Sequence, residues 1–145
     1  MKRMIGVMIA ATLLGILARP VEVKAASEDD VLSLMNAARQ EAGLSAYTLD
    51  SELSKAAQTR AEECSTRFSH TRPNGKAWST VSASTNGENL AHAVNSTQSK
   101  PENVVTAWLL SPTHKANVLR NTFSSVGIAY FKGDDGQTYI VCEFK

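Results

Sequence analysis

The stretch SVGIAYFKGDDGQTYIVCEF, residues 125–144, narrows the choice of fold more than any other. Two runs rich in β-branched and aromatic residues flank GDDG, a turn-forming tetrapeptide, and together they predict a β-hairpin. A hairpin alone is marginal in water, so the rest of the chain has to supply a layer that covers it.

That layer reads as helical. SEDDVLSLMNAARQEAG predicts a helix with Ser27 as N-cap, Asp30 as a relative of the capping box, and Val31, Leu34, Met35 and Ala38 on one face. Gly43 supplies its stop. Asp50 caps a second helix running to about Arg67, whose apolar row Leu53, Ala56, Ala57, Ala61 and Cys64 is mostly alanine and so implies a close neighbour. Residues 69–86 are rich in Ser, Thr, Asn, Gly and Pro and read as irregular, with room for a short strand. GENLAHAV predicts a short helical piece. Pro101 opens a further helix with Val104, Val105, Trp108 and Leu109 on its apolar face, and Ser111-Pro112 interrupts it and starts another in THKANVLRN. Helix, helix, irregular segment, helix, helix, hairpin is the order of an α+β domain with helices on an antiparallel sheet, and lacks the alternation of a doubly wound parallel one.

At the other end, Met1-Lys2-Arg3, an apolar run from Met4 to Ala18 and the small-residue close Val23-Lys24-Ala25 have the layout of a secretory signal peptide, residues 1–25. The run is shorter than the roughly 20 residues of a spanning helix. The expected mature chain is then one domain, residues 26–145, with no stable membrane span. Removing residues 1–25 takes away four bases and one acid, so the formal net charge falls from +1 to −2. That balance gives no electrostatic footprint for nucleic acid. The two cysteines, Cys64 and Cys142, point in an exported chain to one disulfide; a pair of buried free thiols is the alternative.

The short motifs that announce common enzyme classes are absent: no HExxH, no CxxC pair, no phosphate-binding glycine loop with lysine, no GxSxG. What remains is His70 in SHTRPNG, Glu88 in GENLA, and His92 and His114, which with His70 are the three histidines of the chain. Two imidazoles and a carboxylate can bind zinc with an open position, or act as general base and acid. SHTRPNG is also readable as a turn with a solvated Arg72, and GENLA as a helix start.

In order, LMNAARQEAGLSAYTLDSELSKAAQTRAEE, FSHTRPNG, GENLA, AWLLSPTHKANVL and a hairpin opening VGIAYF resemble the CAP superfamily: cysteine-rich secretory proteins, antigen 5 and pathogenesis-related 1, also called SCP domains. The match runs from about Leu32 to Phe144, and HTRPNG and SPTHKANVL resemble the bacterial branch. The resemblance implies an α-β-α sandwich with a small antiparallel sheet, and a cleft to which His70, Glu88 and His114 contribute. His70 and His114 are then the implied ligands of Zn2+ or another divalent cation. In the plant and animal pattern a glutamate follows the helix tryptophan by three residues; here Ser111 stands there. The HYTQVVW-like signature is also lacking, and Glu63 and His92 are the remaining candidates for the vacant positions.

The implied function is a secreted, extracellular binding module, free or associated with the cell wall, for a lipid, a cell-wall component or a protein. A metal-dependent hydrolase with Glu88 as base, and a non-catalytic scaffold, are the alternatives, since one fold hosts many functions.

Overall fold

The computed structural model describes residues 23–145. The expected leader lies outside the described residues except for its last three positions, which open the first helix. Four helices and four strands follow in the order α1 (Val23–Glu41), β1 (Thr48–Leu49), α2 (Ser51–Thr66), β2 (Gly87–Ala93), α3 (Pro101–Leu110), α4 (Pro112–Val118), β3 (Ser125–Lys132) and β4 (Thr138–Phe144), with a 3-10 turn at Trp78–Val81.

The sheet runs β1-β3-β4-β2. The predicted hairpin forms, β3 and β4 pairing antiparallel from Val126↔Phe144 to Lys132↔Thr138. The sheet is mixed, however, because β1 joins β3 in parallel through two residues. GENLAHA is a strand rather than a helical piece: β2 pairs antiparallel with β4 from Gly87↔Phe144 to Ala93↔Thr138. A short apolar segment carries too few residues to separate period 3.6 from period 2, so the ladder decided it. Ser27 lies inside α1 and not at its start, since the helix has already begun at Val23. Asp50 caps α2 as expected, its side chain accepting from the backbone N–H groups of Glu52 and Leu53.

Alternation along β4 sorts the core into two layers. Ile140, Cys142 and Phe144 pack with Val31 and Met35 of α1, Val104, Val105 and Trp108 of α3, and Val118 of α4. Tyr139 and Val141 face the other way, onto Ala57, Ala61 and Cys64 of α2. The result is an α-β-α sandwich with α2 alone on one face. Its alanine row allows the close approach, which is tightest at Gly127, where an added Cβ would meet the backbone carbonyl carbon of Leu53 at 2.0 Å.

The same alternation overturns the expected disulfide. Cys64 reaches the sheet from the α2 side and Cys142 points into the opposite layer, so both are buried free thiols. Burial, the largest influence on each, pushes the Cys64 pKa up to about 11 and that of Cys142 well above its usual value.

Two polar devices tie the helices into register. Arg39 of α1 is 1 % exposed and donates to the carbonyls of Ser45, Val118, Arg120 and Phe123, while its guanidinium lies 3.7 Å from the centre of the Tyr47 ring. It thereby satisfies orphan carbonyls after α4. The Tyr47 hydroxyl donates to the carbonyl of Asn117, on α4.

Candidate functional site

The edge strand β2 carries the site. Trp108 Nε1 donates to the carbonyl of Leu90 at 3.1 Å, and Asn117 Nδ2 donates to that of Glu88, so side chains of α3 and α4 close part of the open edge. Asn89 Nδ2 donates to the backbone carbonyl of His114, and Asn117 Nδ2 to Asn89 Oδ1 at 3.0 Å. These bonds hold α4 against β2 and fix where His114 stands.

On the α2 face, Glu88 has a fully buried side chain whose oxygens are both engaged. Arg60 Nε donates to Oε2 at 2.7 Å and Arg60 Nη2 to Oε1 at 3.3 Å. His70 Nδ1 lies 2.8 Å from Oε1. Arg60 is itself wholly buried, and its Nη2 also donates to the carbonyl of Ser69, the residue before His70. One guanidinium therefore locates both the carboxylate and the backbone that presents the histidine. Its Nη1 donates to Glu63, which in turn receives two N–H groups of Arg72. Arg72 is thus an ion-pair partner that anchors SHTRPNG rather than a solvated side chain.

The turn reading of that motif holds alongside. Thr71 bridges Ala77, Arg72 N donates to the carbonyl of Lys76, and Gly75 has φ 81°, a region glycine enters freely. Trp78 N donates to the carbonyl of His70, which ties the 3-10 turn to the histidine's backbone.

Behind Glu88 stands Glu143, directly opposite on β4 and 0 % exposed. Thr85 Oγ1 hydrogen-bonds its Oε2. Glu143 Oε1 makes no hydrogen bond of good geometry. Burial, followed by the Glu88 carboxylate, raises the Glu143 pKa to about 9, so it is a neutral acid at pH 7. Burial also works to raise the Glu88 pKa, but bonding to His70, Arg60 and Glu143 outweighs it and holds that carboxyl below its usual value.

A cavity of about 390 Å³ opens at this end of the sheet, lined by His70, Trp78, Asn86, Gly87, Glu88, Thr113, His114 and Asn117. The three residues singled out from the motifs, His70, Glu88 and His114, all reach it. His70 keeps 54 % of its side chain exposed, and among the described residues its Nε2 has no hydrogen-bond partner. Burial, with a smaller effect from His70, lowers the His114 pKa below its ordinary value, so this imidazole is neutral at pH 7 with a lone pair to offer. Among the described residues no three His, Cys, Asp or Glu side chains form a ready cage for a metal.

Neither candidate for the vacant positions lines the cavity. His92 packs in a three-ring cluster with Phe68 and Tyr139, and Glu63 is held by two arginines. The second glutamate beside Glu88 is Glu143, which no motif marked. Its position opposite Glu88 depends on strand register, and Arg60 falls on the apolar face of α2, where a sequence pattern signals only core.

The fold is that of a CAP domain. The family model described as "CAP: Cysteine-rich secretory protein family" matches residues 32–144, and the chain belongs to that family. A curated relative, the uncharacterized protein YkwD of Bacillus subtilis (strain 168), is 34 % identical over 113 residues, covering 72 % of this chain and 42 % of the relative. The chain thus spans less than half the length of that relative. Among solved structures, an outer surface protein from Borrelia burgdorferi superposes with a TM-score of 0.65 at 23 % identity, covering 83 % of this chain and 95 % of its own. NaASP2, solved with Zn2+, gives a TM-score of 0.63 at 16 % identity over 81 % of this chain and 78 % of its own. At these identities the two structures speak for the fold.

Proposed function

We propose that this CAP domain is an extracellular binding module whose cleft takes a small polar ligand together with a divalent cation held by His70 and His114. The observation that carries the reading is the convergence of two imidazoles on one cavity, with His70 oriented by a buried carboxylate. A carboxylate on Nδ1 leaves Nε2 as the ligating atom, the arrangement of carboxylates behind metal-bound histidines. The pair fits a metal ion that completes its coordination with water or the ligand, and such an ion would supply Lewis acidity at an open position. Trp78, Asn86, Thr113 and Asn117 would orient the ligand. Six of the eight lining residues carry polar side chains, which favours a ligand with hydrogen-bonding groups.

Binding is favoured over hydrolysis by the state of Glu88. Both its oxygens are held by Arg60 and His70 and the side chain is fully buried, which suits it to orienting His70 rather than to meeting a reacting water. Thr113, the one hydroxyl residue lining the cavity, pairs with Ser111 rather than with an imidazole. Secretion is the location consistent with the N-terminal sequence and with the likeness to a Borrelia outer surface protein. Among the described residues no helix is long and apolar enough to cross a membrane.

Calorimetric titration of zinc into the domain tests the metal site. The expected result is one site per chain, weakened at least about tenfold by His70→Ala and by His114→Ala. No heat, or binding indifferent to both changes, overturns it. If zinc binds, a screen of peptides and esters comes next; turnover abolished by Glu88→Gln would put the hydrolase reading ahead of the binding module.

A further inference from the structure

Two asparagines stand directly before glycine, Asn74-Gly75 and Asn86-Gly87. Such a pair is chemically labile, because the backbone nitrogen of the second residue can attack the side-chain amide of the first, and glycine has no side chain to obstruct the approach. The fold separates two dipeptides that the sequence makes equal.

Asn74-Gly75 forms the tip of the SHTRPNG turn. Both residues are exposed, and no atom lies within 4 Å of where a Gly75 Cβ would stand. The turn is closed at its base by the Thr71 to Ala77 bridge and by Arg72 N on the carbonyl of Lys76 at 2.8 Å. Inside it, Lys76 N donates to Asn74 Oδ1 at 3.0 Å. That bond polarises the side-chain carbonyl and stabilises the negative charge that gathers on Oδ1 when Cγ becomes tetrahedral, the part played by an oxyanion donor. Gly75 N, the attacking atom, donates to the carbonyl of Arg72 at 2.9 Å, and releasing one turn bond at an exposed loop tip costs little.

Asn86-Gly87 is locked by comparison. Asn86 N donates to the carbonyl of Phe144 at 2.7 Å, and Gly87 opens β2 in register with Phe144. Gly87 is buried, and a Cβ on it would meet the Phe123 ring at 2.9 Å. Its nitrogen reaches the Asn86 amide only if the start of β2 leaves β4, which means opening the sheet. Asp135-Gly136 in the β3–β4 turn has the glycine without the electrophile: the Tyr139 hydroxyl and Gln137 N–H bond to the Asp135 carboxyl and hold it ionised, and a carboxylate resists nucleophiles.

We infer that Asn74 is a site of spontaneous deamidation, and that the modification disturbs the turn presenting His70. Gly75 N gives up its proton to solvent base and attacks Asn74 Cγ; the Cγ–Nδ2 bond breaks, ammonia leaves, and a succinimide ring forms. Water then adds to one of the two ring carbonyls and breaks its bond to the ring nitrogen, leaving aspartate or isoaspartate. One water is consumed and one ammonia released, with no change of oxidation state. Either product puts a carboxylate at the tip of the turn. Isoaspartate also inserts a methylene into the backbone between Arg72 and Lys76, inside the loop that their bond closes. His70 stands at the base of that loop, its carbonyl accepting from Trp78 N, so the added length bears on the contacts that place it. This reading is independent of what the cleft binds.

The test is incubation of the folded protein at mildly alkaline pH over days, followed by mass spectrometry of its peptides. The peptide holding Asn74 should gain about one mass unit, as amide becomes acid, at least about tenfold faster than the peptide holding Asn86. In urea, with the ladder gone, the two rates should converge. Asn74→Gln should remove the early gain, because its amide carbon lies one methylene farther along the side chain. In 15N-labelled protein, the purified isoaspartyl form should show shifted signals for His70 and residues 71–78, with those of α1 and α3 in place. Asn74→Asp, which adds the charge without lengthening the backbone, should shift His70 less. Four results would overturn the inference: no gain at Asn74 in the folded protein, an equal or faster gain at Asn86, the same early gain in Asn74→Gln, or His70 signals unmoved in the isoaspartyl form.

Discussion

Glu88 of β2 and Glu143 of β4 stand directly opposite each other across the antiparallel ladder, and both are buried. Two like charges so placed repel strongly, and the fold answers by giving them different protonation states. Arg60 and His70 hold Glu88 as the anion, and Glu143 keeps its proton to about pH 9.

This pairing sets the pH dependence of stability. The folded-state pKa of Glu143 is raised above its unfolded value, so its contribution is full below about pH 4 and is lost progressively as pH rises toward 9. Glu88 has the opposite sign: its contribution is present above the unfolded pKa and is lost as pH falls through the lowered folded value. Melting temperatures between pH 6 and pH 9.5 should fall for the wild type and stay flatter for Glu143→Gln, which cannot ionise. Parallel profiles would show that Glu143 does not titrate in this range.

Arg60 is wholly buried and is the main counterion of Glu88. Arg60→Met leaves a buried carboxylate without it and should cost about 3–5 kcal/mol in urea denaturation. Arg60→Lys should recover little, because an ammonium cannot reach Glu88, Glu63 and the carbonyl of Ser69 together. Full recovery by lysine would mean that charge alone matters.

His114 is expected to titrate below the ordinary histidine range in proton NMR, because burial and the neighbouring His70 both disfavour its cation. Replacing His70 by alanine should raise that pKa slightly, leaving burial as the larger effect. A His114 pKa above the ordinary value would place it outside the cavity wall.

Cys64 and Cys142 lie in opposite layers, so the native chain should have the same mass with and without reductant. Neither thiol should react with a thiol reagent until the protein is unfolded, given their burial and raised pKa values. Rapid labelling of the native protein would contradict the packing.

Gly127 is the point where α2 rests on the sheet. Gly127→Ala places a methyl group within 2.3 Å of three backbone atoms of Leu53 and Ser54, which cannot rotate away. A loss of more than about 3 kcal/mol is expected by thermal or chemical unfolding.

Much of the architecture was legible before the structure. The Asp50 cap and alanine row of α2, the Pro101 and Pro112 helix starts and the GDDG hairpin are local signals written in adjacent residues, and each corresponds to an observed element. Where reading failed, the deciding contact was distant. GENLAHA became a strand because β4 offered a ladder, and Thr48–Leu49 became one because β3 lay beside it.

The site divides in the same way. His70, Glu88 and His114 stand in motifs whose order identified them, and all three line one cavity. Sequence alone therefore singled out two imidazoles and a carboxylate that the fold brings to one cavity. Tertiary structure decided their states. A buried arginine from an apolar helix face and a carboxyl from the last strand reach Glu88 only after α2, β2 and β4 have packed. A carboxyl's charge depends on the groups packed around it, and residues 60, 88 and 143 become neighbours only in the folded chain.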